Sequence, residues 1–238
     1  MDAVRLMDRT DTKFSFHSSL LYKILEEVSP HYSSLEIGDK RFAEYHTLYY
    51  DTDKLDLYLQ HQNGYLNRYK VRHRTYVDSG LGFLEVKFKN SKERTIKTRI
   101  KKKEVPENFI GETATFLSAE LPIQPQMLSP SVWVNYKRIT LVGKSNPERL
   151  TIDFNLEFVK GGEKVTIPDL IIAEVKQSKK NESVFINLMK KMHIRQGGIS
   201  KYCLAVINTV SNVKKNSFKP KLLTLKKILN YVPAASNF

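Results

Sequence analysis

Along residues 68–102 charged and apolar side chains alternate with a period of two, in RYKVRHRTYV, GFLEVKFKN and RTIKTRIKK, with Gly80, Gly82 and Asn90 near the breaks. Successive side chains of a strand point to opposite faces, so this alternation predicts an antiparallel β meander. The same period returns in VWVNYKRITLV, RLTIDFNLEF and LIIAEVKQ. Helical spacing predicts a helix in HSSLLYKILEEVS, capped by its opening serines and ending before Pro30, and others in DKLDLYLQH, over 107–119, in NESVFINLMKKMHI and in PKLLTLKKILNYV. The segment LPIQPQMLSP reads as a loop. No repeat or low-complexity tract divides the chain, so a single α+β domain over 1–238 is expected, with 216–238 a C-terminal helix packed on the sheet.

The alternation sorts residues by chemistry. Arg68, Lys70, Arg72 and Arg74 share one face of their strand, and Glu85, Lys87 and Lys89 lie opposite Leu84, Val86 and Phe88. Lys97 and Arg99 oppose Ile96, Thr98 and Ile100, and Glu174 and Lys176 line the polar side of LIIAEVKQ. Arg149, Thr151, Asp153, Asn155 and Glu157 oppose Leu150, Ile152, Phe154, Leu156 and Phe158. Two arrangements explain such faces. One is an antiparallel sheet with a wet side. The other is a closed barrel of about eight strands, with a charged lumen and the amphipathic helices outside. Most of these faces are strongly basic with isolated acids among the cations, which is more order than a solvated surface needs.

The overall charge sharpens this. The 39 Lys and Arg outnumber the 25 Asp and Glu, giving +14, which favours nucleic acid, anionic membrane or phosphate compounds as partners. Two like charges about 4 Å apart repel by about 4 kcal/mol at an effective dielectric near 20, so converging cations need solvent, counterions or a bound polyanion. Arginine forks match phosphate oxygens, and carboxylates among them suit Mg²⁺ or Mn²⁺. Nucleic-acid binding is disfavoured, because the cations sort onto strand faces rather than joining exposed aromatics or a recognition helix. The single cysteine, Cys203, excludes an internal disulfide framework and a multi-cysteine zinc site, and its apolar neighbours predict a buried thiol. His61, His73 and His193 have no zinc-site spacing. No segment approaches the roughly 20 apolar residues of a membrane span, and MDAVRLMDRT lacks a signal peptide's apolar run, so the expected setting is cytoplasmic.

The segments RTDTKF, TLYYDTDKLDLY, RYKVRHR, FLEVKFK, IKTRI, RLTIDFNLEF, IIAEVKQ and GISKYC occur in an order that resembles the VTC domain, the polyphosphate polymerase branch of the CYTH-like triphosphate tunnel metalloenzymes. The resemblance spans residues 9 to about 207. It implies an antiparallel closed β-barrel forming a basic tunnel with peripheral α-helices. It also implies phosphate contacts from Lys13, Lys70, Arg72, Arg74, Lys87, Lys97, Arg99, Arg138, Lys176 and Lys201, with Lys13, Arg72, Arg74 and Lys201 nearest the chemistry, and a hydrogen bond donated by Ser200. Glu174 is the implied principal ligand for Mn²⁺ or Mg²⁺, and Glu85 a second. Many tunnel enzymes carry ExExK on the first strand, whereas Arg9, Asp11 and Lys13 stand here. The chain also lacks the membrane segment and regulatory domain of eukaryotic VTC proteins, so a stand-alone bacterial relative is expected. The implied activity moves the terminal phosphoryl group of a nucleoside triphosphate, ATP foremost, onto phosphate or polyphosphate. A triphosphatase acting on nucleotides or inorganic triphosphate and releasing phosphate or pyrophosphate would use the same cations and metal. A silent polyphosphate-binding module is the third possibility.

Overall fold

The computed structural model describes residues 9–92, 94–178 and 182–230. Its elements follow in order β1 (Arg9–His17), α1 (Leu21–Val28), β2 (Tyr32–Ser34), β3 (Ala43–Asp51), α2 (Asp56–Gln62), β4 (Arg68–Tyr76), β5 (Leu81–Lys89), β6 (Thr95–Lys101) and α3 (Glu112–Glu120). They continue with β7 (Ser129–Gly143), β8 (Arg149–Lys160), β9 (Glu163–Ile167), β10 (Leu170–Ser178), α4 (Val184–Lys191), α5 (Lys201–Thr209) and α6 (Lys219–Leu229). All strands join one sheet in the order β1-β10-β8-β7-β3-β4-β5-β6, with β2 on β7 and β9 on β8, and every described pairing is antiparallel.

The expected closed barrel is instead an open sheet, strongly rolled. Among the described residues β1 and β6 end the path without pairing to each other. Five interstrand steps separate β1 from β4, roughly 24 Å if the sheet were flat. Yet α6 contacts β1 and β10 while its Leu225 shares a buried cluster with Tyr49 of β3 and Tyr58 of α2, so the sheet curls across this span. Helices cover the convex side. Ile24 and Val28 of α1, one turn apart, join Phe185 and Met189 of α4 over Phe14, Leu150, Ile152 and Ala173, while Leu117 of α3 lies on Leu84 and Val86. On the concave side α5 contacts β7 and β8, and its Tyr202 and Cys203 share a buried cluster with Tyr49, Val134, Tyr136 and Leu225 of α6.

Local chemistry moves several predicted boundaries. The turn before α1 is capped by His17, whose ring nitrogen accepts from the Ser19 amide, rather than by a serine. The helix expected from residue 107 begins at Glu112, after Gly111 with φ of 53°. In β8 the alternation holds only to Phe154. Asn155 takes φ of 51° opposite a register shift in β7, and beyond this bulge Leu156 and Phe158 turn into the concave cluster that their sequence parity assigned them away from. The predicted C-terminal helix is α6, which meets β1 and β10. Residues 231–238 lie outside the described part. No described helix is long and apolar enough to cross a membrane.

Candidate anion-binding site

On the concave face three carboxylates each sit between two cations. Glu85 is fully buried and lies directly across the ladder from Arg72, whose Nε and guanidinium terminus donate to Oε2 at 2.7 and 2.6 Å. Lys97, from β6 on its other side, closes on Oε1. Burial would raise the Glu85 pKa, but Arg72, Arg74 and Lys97 outweigh it and hold the carboxyl well below its ordinary range. Asp153 lies across the ladder from Arg138, which grips both oxygens at 2.5 and 2.7 Å, and Lys201 reaches Oδ2 from the first turn of α5. Burial again opposes ionisation, and Arg138 and Lys201 again prevail. Glu174 stands between its ladder partner Lys13, at 3.6 Å, and Lys176, which also donates to Asp11 at 2.7 Å.

Arg74, Lys70 and Lys87 are not clamped in this way. Among the described residues Lys70 and Lys87 form no ion pair with a carboxylate. The proximity of Arg72, with burial and Arg74 next in weight, pushes the Lys87 pKa well below that of a free lysine against the opposing pull of Glu85. Burial, then Lys13 and Arg72, lower that of Lys70 against the opposing pull of Cys203 and Tyr49. Arg74 has a hydroxyl and two rings for neighbours: Thr47 at 3.4 Å, and Tyr45 and Tyr136 beneath its guanidinium at 5.3 and 5.9 Å. Like-charged groups brought together with no carboxylate in contact form a seat for an anion.

Most residues singled out in the sequence meet on this face. Lys13, Lys70, Arg72, Arg74, Lys87, Lys97, Arg138, Lys176 and Lys201 belong to the groups just described. Arg99 is exposed and stacks on Phe83, 4.4 Å from ring centroid to guanidinium carbon. Ser200 is the N-cap of α5, its hydroxyl accepting from the Cys203 amide at 3.4 Å while keeping its own proton to donate. Cys203 is buried, as expected. Sequence reasoning passed over a chain of contacts behind the site. The Tyr49 hydroxyl accepts from Arg72 at 3.2 Å, the Tyr49 ring stacks on Tyr202 at 4.8 Å, and the Tyr202 hydroxyl donates to buried Asp51. The one available signal was the Asp-Thr-Asp run before a predicted helix, which is capping chemistry.

No group of three or more His, Cys, Asp or Glu side chains is arranged for a metal among the described residues. Glu174 and Asp11 nevertheless converge on one cation, the Lys176 ammonium. Two oxygen donors around a positive charge fit a hard divalent ion that takes its remaining ligands from phosphate and water. Glu85 fits less well, since Arg72 and Lys97 already neutralise it where a metal would add a third positive centre.

A rolled antiparallel sheet with a concave cationic face, spaced by clamped carboxylates, is a tunnel-type fold. The chain belongs to the VTC domain family, whose model matches residues 8–210. No curated protein sequence matches it. Among solved structures it is similar to a Hippeastrum protein described as an adenylyl cyclase with a dominant triphosphatase activity, at a TM-score of 0.56 and 14% identity over 85% of this chain and 98% of that one. It is also similar to a Bacillus halodurans protein assigned as an adenylate cyclase, at a TM-score of 0.53 and 14% identity over 86% and 98% of the respective chains. At that identity the likeness carries the fold and not the chemistry.

Proposed function

We propose that the chain is a polyphosphate polymerase-like phosphotransferase, moving the terminal phosphoryl group of a nucleoside triphosphate onto phosphate or the end of a polyphosphate chain. The observation that carries this reading is the run of cations with no carboxylate in contact among the described residues, Arg74, Lys87 and Lys70, beside the Arg72 and Arg138 clusters. A chain of phosphates supplies the closely spaced negative charge that such a run lacks. An acceptor oxygen forms a bond to the γ-phosphorus as the bond to the β,γ-bridging oxygen breaks, and nucleoside diphosphate leaves. Positioning and charge neutralisation supply most of the rate in such transfers. Arg72, Arg74 and Lys87 would hold the triphosphate, with Arg138 and Lys201 beside them, and Lys13 the γ-phosphate near Glu174. A Mn²⁺ or Mg²⁺ ion held by Glu174 and Asp11 would supply Lewis-acid neutralisation of phosphate oxygens.

Glu174→Gln is expected to lower metal-stimulated turnover by roughly 10²–10³, the size of effect seen when one well-placed electrostatic contact is lost. Its urea midpoint should match wild type, because the side chain is partly exposed. Undiminished turnover with Mn²⁺ sinks the metal assignment. The reaction class is tested by incubating the protein with ATP and Mn²⁺, resolving products on a gel stained for polyphosphate and measuring free phosphate in parallel. Lengthening chains with little free phosphate are expected. Free phosphate without chains would make the protein a triphosphatase, and neither product would leave a binding module.

A further inference from the structure

The concave face differs sharply between its two ends. At one end four aromatic rings run across adjacent strands: Phe83 on β5, Tyr76 on β4, Tyr45 on β3 and Tyr136 on β7. Neighbouring centroids are 5.9, 5.1 and 5.2 Å apart, and the Tyr45 and Tyr136 planes are nearly parallel at 3°. Tyr45 and Tyr136 are buried, whereas Phe83 and Tyr76 are partly open, and exposed Arg99 lies over Phe83 with no carboxylate partner among the described residues. At their other ends β4 and β5 carry only Arg68, Lys70, Lys87 and Lys89 on this face.

Resting on the triphosphate reading above, we infer that the Phe83–Arg99 stack, backed by Tyr76, is a nucleobase shelf that sets the direction in which the nucleotide lies. Bases stack on aromatic rings and on guanidinium planes, and such stacking is tolerant of base identity because every base has a π-face. A base on Phe83 or Arg99 places its phosphates beside Arg74, the neighbour of Phe83 across the ladder. From Arg74 the strand runs roughly 13 Å to Lys70, four residues at about 3.3 Å each. The triphosphate thus points along the row towards Lys70, and a growing chain leaves past Arg68 and Lys89. The shelf makes the site a receptor for nucleoside triphosphates in general, purines before pyrimidines, rather than for one base.

Calorimetric titration of ATP and of inorganic triphosphate into the full chain, with chelator present to prevent turnover, tests this. Phe83→Leu is expected to weaken ATP by about tenfold and to leave inorganic triphosphate within about twofold, since only the stacking contact is removed. Phe83→Tyr, which keeps a ring, should restore ATP affinity, and Lys70→Ala should weaken both ligands alike. Equal loss of both ligands in Phe83→Leu, or no loss of either, overturns the shelf while leaving the triphosphate site standing. A wild-type chain that binds neither ligand overturns the triphosphate reading itself and the shelf with it.

Discussion

Replacing Asp51 by alanine is expected to destabilise the fold by about 3–5 kcal/mol, a large share of the roughly 5–15 kcal/mol of a typical domain. The carboxylate has no exposure to solvent and accepts four hydrogen bonds. The amides of Thr52 and Leu57 donate to Oδ1 and that of Tyr58 to Oδ2, each at 2.8 Å, and the Tyr202 hydroxyl completes the set. Leu55, the residue at the N-cap of α2, has φ of 58° and makes no side-chain cap, so Asp51 supplies that function from the end of β3. Alanine would strand these donors in a dry environment. Burial raises the Asp51 pKa, with the hydrogen bonds opposing it, so the folded state holds this proton to higher pH than the unfolded chain does. Ionising the group therefore subtracts from stability as pH rises through the raised value, and the lost hydrogen bonds are what make the alanine costly. Urea unfolding followed by the fluorescence of Trp133, the one tryptophan, measures the effect. A change below about 1 kcal/mol would mean that water replaces the carboxylate. Because Tyr202 directly follows Lys201 in the first turn of α5 and stacks on Tyr49, turnover should fall with stability.

The elements that could be read from the chain are those with one wet or charged side. In β4, β5 and β6 the period of two is undisturbed, and the face it predicts is the face that gathers Arg72, Glu85 and Lys97. By contrast β3 has no legible period, because Leu48 and Tyr50 lie under the convex helices while Tyr45, Thr47 and Tyr49 are buried under the cations and α5. The helix α5 was missed for the same reason. Five consecutive residues, Tyr202 to Val206, are buried, so no stripe separates core from solvent. The Asn155 bulge was invisible because the residues on both sides of it are alternating apolar and polar, and only a partner strand reveals the shift. Ring closure was illegible too, since the polarity of a lumen-facing strand is the same whether or not the two edges join. The candidate site fared better than the fold around it. The cations of β4, β5, β6 and β10 could be named from strand parity, whereas Lys13, Arg138 and Lys201 came from the family resemblance, and the division into clamped and unclamped sets depends on which acid lies across each ladder.

That division yields the second large effect. Glu85→Gln is expected to destabilise the metal-free protein by about 3–5 kcal/mol, the usual consequence of removing one partner from a buried ion pair. Arg72 bears most of this, being 6% exposed, whereas Lys97 at 35% keeps much of its hydration. The acid side of the wild-type stability curve has the same origin. Glu85 and Asp153 have folded pKa values depressed below their unfolded ones, so their contribution is fully present above the ordinary carboxylate range and is lost as pH falls through the depressed values. Wild type should therefore weaken progressively below about pH 5, and Glu85→Gln should show a shallower decline because one of those groups is gone. Inorganic triphosphate should recover much of the loss at neutral pH, about 2.7 kcal/mol at a hundred times its dissociation constant, by supplying the negative charge that Glu85 provided. Urea midpoints at pH 7 and pH 3, with and without triphosphate, separate this role from metal binding. A variant with wild-type metal-free stability and weakened Mn²⁺ affinity would make Glu85 a metal ligand. A less stable variant that triphosphate rescues makes it the acid that keeps the cationic row folded until phosphate arrives.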